Sequence, residues 1–174
     1  METAIVSIVC IAMVIFGGMA MSNGFMTSVD TTTAGLQEVG NINDAIMRTE
    51  LVPVSTNITL QPGPDPLEIV LNNTGQIKMA DYEKWDVIVQ YYDDSGNYHV
   101  EWLPYVKGTT APGEWDVGWI KMNGQPEMFE PNVLNPGEEM MIEARLEPSV
   151  GSNSTNMVVI TTSSGVTCST YFAP

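Results

Sequence analysis

The chain has 174 residues and a formal net charge of −15, with six Lys plus Arg against 21 Asp plus Glu. That balance opposes nucleic-acid binding, which draws its affinity from cations set against phosphates. One histidine and two cysteines are too few for a zinc centre of the usual ligand set.

Thr3 through Val29 carry no charged side chain. At 1.5 Å per residue such a helix is roughly 40 Å long, more than the ~30 Å hydrocarbon layer of a bilayer. A secretory signal would show a basic flank and a cleavage site after a shorter apolar core. Here the first charge is Glu2 and the first basic residue Arg48. Two readings stay open: an N-terminal anchor without its basic flank, or a chain whose basic leader is removed in front of Met1. The second is the expectation, because an anchor with no cationic flank is poorly oriented.

Beyond Gly24 the helical pattern continues. Leu36, Val39, Ile42 and Ile46 recur at the spacing of one helical face. An all-apolar part followed by an amphipathic part predicts one helix over about residues 1–50, roughly 70 Å long. Pro53 and the β-branched residues around it are expected to end the pattern. Gly17, Gly18, Gly24, Gly35 and Gly40 each cost such a helix up to ~1 kcal/mol relative to Ala. Gly18-x-x-x-Ser22 and Ala20-x-x-x-Gly24 are the spacings that let helices approach closely. The helix therefore expects helical neighbours, with Ile5, Ile8, Val14, Ile15, Phe16, Phe25, Leu36, Val39 and Ile46 as candidate packing residues.

From Leu51 the period becomes two. Strands are predicted at 54–60, 67–71, 84–92, 98–103, 114–122, 140–146, 156–162 and 166–172. Trp85, Val87, Val89 and Tyr91 make one face of the third. Asp93-Asp94-Ser95-Gly96-Asn97 is a hairpin signal, and five further Gly-containing turns punctuate the rest. The expected fold class is α+β: a long N-terminal hydrophobic helix, residues 1–50, followed by an immunoglobulin-like antiparallel β-sandwich, residues 51–174.

Nothing here points to an enzyme. His99 follows a hairpin turn and reads as a solvent-facing strand residue. No nucleophile elbow or phosphate loop is present. Cys10 lies in the apolar helix and Cys168 in the last strand, so no bridge between them is expected. No cofactor is expected, although Asp93, Asp94 and Asn97 are weak candidates for Ca²⁺, which prefers such oxygens. Glu138-Glu139 and the Asp81/Glu83 pair read as solvated faces. Asn57, Asn72 and Asn153 sit in N-x-[ST] sequons and are glycosylation candidates.

An uncharged N-terminal helix running into a β-sandwich resembles an archaellin, the filament subunit of the archaeal motility organelle. Leu71-Asn-Asn-Thr-Gly75 with Lys84-Trp-Asp-Val-Ile-Val-Gln-Tyr-Tyr92 is similar to a strand pair of archaellins and of their stator-like relatives. So are Leu134-Asn-Pro-Gly-Glu138 and the closing segment 162–172. The resemblance spans nearly the whole chain through short motifs. It implies a leader cut by a prepilin-type peptidase, residence in the cytoplasmic membrane before assembly, and an extracellular helical homopolymer with the apolar helices at its core. An assembly ATPase and membrane platform would then be partners, since this chain has no nucleotide site. Two departures stand out. Glu2 occupies an end that is usually small or apolar, and Ile5 stands where bacterial type IV pilins carry an acid. A membrane-anchored stator-like accessory and an adhesive archaeal-type pilin remain the alternatives.

Overall fold

A computed structural model describes residues 2–61 and 63–174. Met1 and the side chain of Glu2, on which the leader expectation bears, lie outside the described residues. The chain divides into two compact units, Met1–Asp44 and Ala45–Pro174.

Helix α1 spans Glu2–Arg48 without interruption. Its residues 2–44 lie in the first unit, so its last turn, 45–48, belongs with the β-domain. That places the division six residues ahead of the expected boundary at 50/51. Pro53 does not end the helix. Thr49 does, its N–H donating to the Ile46 carbonyl at 3.2 Å and its hydroxyl to the Ala45 carbonyl at 2.7 Å. Arg48 in the last turn suits the negative end of the helix dipole. Pro53 instead lies inside the first strand, at a sheet edge where a missing N–H costs no ladder bond.

The β-domain consists of two antiparallel sheets. One holds β1 (Leu51–Ile58), β2 (Asp65–Asn73), β7 (Glu139–Leu146), β5 (Trp115–Met122) and β6 (Gln125–Pro126), in the order β1-β2-β7-β5-β6. The other holds β3 (Asp86–Tyr92), β4 (Tyr98–Leu103), β8 (Asn156–Thr161) and β9 (Thr167–Phe172), in the order β4-β3-β8-β9. With β1, β2, β3, β4, β5, β7, β8 and β9 read as A, B, C, C′, D, E, F and G, this is the immunoglobulin strand order.

Alternation puts Leu67, Ile69 and Leu71 of β2 into one core with Met140, Ile142, Ala144 and Leu146 of β7, Val87, Val89 and Tyr91 of β3, and Val158 and Ile160 of β8. Trp85 and Trp115 are its largest members. Two strands break strict alternation. Register shifts between Pro53 and Ser55, and between Val117 and Trp119, let Leu51 and Ile58, and Trp115 and Ile120, point inward from opposite parities. At the second bulge a Cβ on Gly118 would come 2.2 Å from the Met141 methyl. β6, unforeseen from the pattern, is made by the tight Asn123-Gly124 turn, both residues at positive φ (51° and 77°).

Candidate functional site

Every candidate packing residue of α1 lies open. Val14, Phe16 and Phe25 are 74%, 78% and 71% exposed, and Ile5, Ile8, Ile15, Leu36, Val39 and Ile46 are exposed as well. A buried core helix would not look like this. Burying a Leu, Ile or Phe side chain is worth about 1.5–3 kcal/mol, so a helix with this whole surface open is incomplete in water. Among the described residues α1 is the one helix long and apolar enough to cross a membrane.

Its polar atoms are prepared for an apolar surrounding. The hydroxyls of Ser7, Thr27, Thr31 and Thr32 each donate to the carbonyl four residues back, at 2.8–3.0 Å. A Cβ built on Gly17, Gly18, Gly24, Gly35 or Gly40 would meet nothing within 4 Å. The chain itself does not need these glycines, so whatever offsets their helix-weakening cost lies outside it.

Where α1 ends, the β-domain grips the chain. The N–H of Gln76 donates to the Arg48 carbonyl at 2.8 Å, and those of Thr74 and Gly75 to the Glu50 carbonyl at 3.1 and 3.2 Å. Gly75 is a steric requirement: a Cβ there would stand 2.5 Å from the Glu50 nitrogen and 2.6 Å from the Arg48 oxygen. Asn73, fully buried, organises the turn. Its amide donates to the carbonyls of Ile77 and Leu134 at 2.9 and 3.1 Å, and its Oδ1 accepts from Gly75 N–H at 3.1 Å. Its backbone bonds to Glu138 and Gly137. The two motifs Leu71–Gly75 and Leu134–Glu138, sixty residues apart in sequence, thus meet at one place.

Glu138 is buried, contrary to the expected solvated face. Its carboxylate accepts from Asn135 N–H at 2.7 Å. Burial raises its pKa, and the nearby Glu127 carboxyl adds to the rise. His99 is likewise not a solvent-facing strand residue but half-buried. It stacks on Tyr91, ring centroids 5.1 Å apart, and its Nε2 lies 3.0 Å from the Asp93 carboxylate. Asp93 is the cap of its hairpin. One oxygen accepts from the N–H groups of Ser95 and Asn97, both at 2.8 Å, and the other from the Asn97 side chain at 2.9 Å. His99 first, then Asn97, hold the Asp93 carboxyl well below the usual range.

With its carboxylate so engaged, Asp93 does not form a ligand set with Asp94 and Asn97, and no group of three His, Cys, Asp or Glu suited to a metal occurs among the described residues. Cys10 is exposed and Cys168 buried, neither bridged. Burial pushes the Cys168 thiol up to about 11. Asn57 and Asn153 are exposed, on edge strand β1 and in the loop before β8. Asn72 is half-buried, and its side-chain oxygen is enclosed without a hydrogen-bond partner. Of the three sequons, its amide is the least accessible.

No protein-family model matches the chain, nor does any curated protein sequence. Solved structures do. The archaeal flagellum of Methanospirillum hungatei strain JF1 is 12% identical and covers 96% of this chain and 90% of its own, with a TM-score of 0.59. The archaellum periplasmic stator protein complex FlaF and FlaG from Sulfolobus acidocaldarius is 22% identical and covers 71% of this chain and 89% of its own, with a TM-score of 0.50. A likeness spanning 96% takes in nearly all of α1 as well as the sandwich. The chain shares its fold with the filament structure over nearly its whole length, and with the stator complex over 71% of it.

Proposed function

We propose that the chain is the structural subunit of an archaellum-type filament, polymerising through α1 and presenting its β-domain outward. The observation that carries this reading is the open apolar surface of α1 extended past the length a bilayer needs, with five glycines that serve no contact inside the chain. A lone anchor is satisfied by lipid after about 20 residues. The part beyond Val29, with Leu36, Val39 and Ile46 on one face, asks for helices as neighbours instead. The filament likeness, which includes α1, supports the same reading. On this proposal the subunit is stored in the membrane and carries no catalytic site, so a peptidase, an ATPase and a platform must be supplied by other proteins.

The stator-like likeness favours a second reading, in which α1 remains in lipid and the β-domain binds filament or envelope. Copy number separates the two. Surface filaments sheared from expressing cells should contain this chain as their bulk component. If the filaments lack it and a few copies stay with the membrane fraction, the accessory reading replaces the polymer.

A further inference from the structure

The outer face of the β4-β3-β8-β9 sheet is apolar where a solvated sheet would be polar. The register sets Trp102 beside Ile88 and Val159, Val100 beside Gln90, Met157 and Tyr171, and Tyr98 beside Tyr92. Trp102 is 58% exposed and Tyr171 68%. The face is held rigid by its own polar atoms. The Trp102 indole N–H donates to Asp86 at 2.8 Å, the Tyr98 hydroxyl to Gln90 at 2.9 Å, and the rings of Tyr92 and Tyr98 lie 5.1 Å apart.

A second apolar feature stands elsewhere on the domain. In the loop after β6, Met128 and Phe129 are 89% and 92% exposed. The tip is not loose: Glu127 Oε1 accepts the N–H groups of both Phe129 and Glu130.

We propose that the Met128–Phe129 tip of one copy docks on the β3–β4 face of a neighbouring copy. The inference rests on the polymer reading above. Three observations select a second copy in this arrangement. The two surfaces are unlike, one convex and one flat, and unlike surfaces make the heterologous contacts that propagate a helix, whereas a self-complementary patch closes a dimer. Charge favours the site: two copies at −15 each repel, and Asp86, already bonded to Trp102, is the one carboxylate among the outward positions of β3 and β4. The tip carries Glu127 and Glu130 beside its apolar pair, and a face whose one carboxylate is already bonded is where those can approach. Area fits as well. Four aromatics that bury about 150–250 Å² each when enclosed, here roughly half open, leave on the order of 400 Å². A standard interface takes about 800 Å² per partner, so the face is too small to hold free domains together, yet sufficient once the helices tether them.

The test places a photo-crosslinking benzoylphenylalanine at Val100 in the full chain and irradiates filaments sheared from cells. Mass spectrometry should find an adduct between residue 100 and the peptide carrying Met128 and Phe129 of another copy. Phe129→Ser, at an exposed tip and so without cost to folding, should lower its yield on the order of tenfold, and Met128→Ser should lower it less. An adduct joining two β3–β4 faces, an adduct to a different polypeptide, or intact filaments with no adduct would each overturn the docking while leaving the polymer reading in place. Sheared filaments without this chain would overturn the polymer reading itself.

Discussion

Replacing Gly75 by alanine tests the grip on the end of α1. At an unconstrained site Gly→Ala gains about 0.4–1 kcal/mol, because the unfolded chain loses freedom. Gly75 has no positive φ to forbid a side chain, so conformation alone predicts that gain. Sterics predict the reverse. The new methyl would sit 2.5 and 2.6 Å from two backbone atoms, Glu50 N and Arg48 O, which cannot swing aside as a side chain can. Overpacking of this kind costs about 1–3 kcal/mol. Moving the 48–50 segment also strains three hydrogen bonds, each worth about 0.5–1.5 kcal/mol net. The sum is a loss of roughly 3 kcal/mol, which for a domain of this size lowers Tm by about 10 °C. Thermal unfolding of the full chain in detergent, followed by near-ultraviolet circular dichroism of its buried tryptophans, measures it. Gly40→Ala, where a Cβ meets nothing, is the control and should leave that transition unchanged. A Gly75→Ala transition coinciding with wild type would refute the close approach as a steric requirement.

Further outcomes follow from other sites. Val14→Asp should abolish filaments visible by electron microscopy, since an unpaired carboxylate among packed apolar helices costs several kcal/mol; abundant normal filaments would contradict a helical core. Glu138 has a raised pKa in the folded state, so its favourable contribution is complete below its unfolded value and is lost as pH rises through the folded one. Glu138→Gln should therefore unfold at higher denaturant than wild type at pH 8, with the advantage gone at pH 4. Asp93 has the opposite sign: its pKa is depressed, so its contribution is present above about pH 4 and lost as pH falls. Asp93→Asn should lower the urea midpoint at pH 7 and bring the variant and wild type together in strong acid. Removing Thr3–Val29 should yield a monomer by size-exclusion chromatography, because the outer sheet face alone is too small to hold two copies.

Much of this protein is legible in its residues. The uncharged run from Thr3 to Val29 and the 3–4 spacing of Leu36, Val39 and Ile46 are local patterns, and a long helix follows from them without knowledge of any partner. Period-two alternation likewise located β2, β3, β7 and β8 to within a residue or two, because the inward face of a strand must be apolar when the chain has only one core to fill. Tertiary structure decided what depends on residues distant in sequence. Pro53 reads as a helix stop until β1 proves to be a sheet edge, where a proline is harmless. Trp115 and Ile120 share a core only because a bulge at Gly118 changes the strand's parity. Glu138 reads as a surface acid, and its burial follows from the meeting of the Asn73–Gly75 turn with the Leu134–Glu138 segment. The apolar outer face of β3 and β4 is likewise a tertiary outcome: Tyr98, Val100 and Trp102 share a face by alternation, and the strand pairing and burial show that the core lies on the other side. A side chain's direction is set by local backbone geometry, but what it faces is set by the rest of the fold.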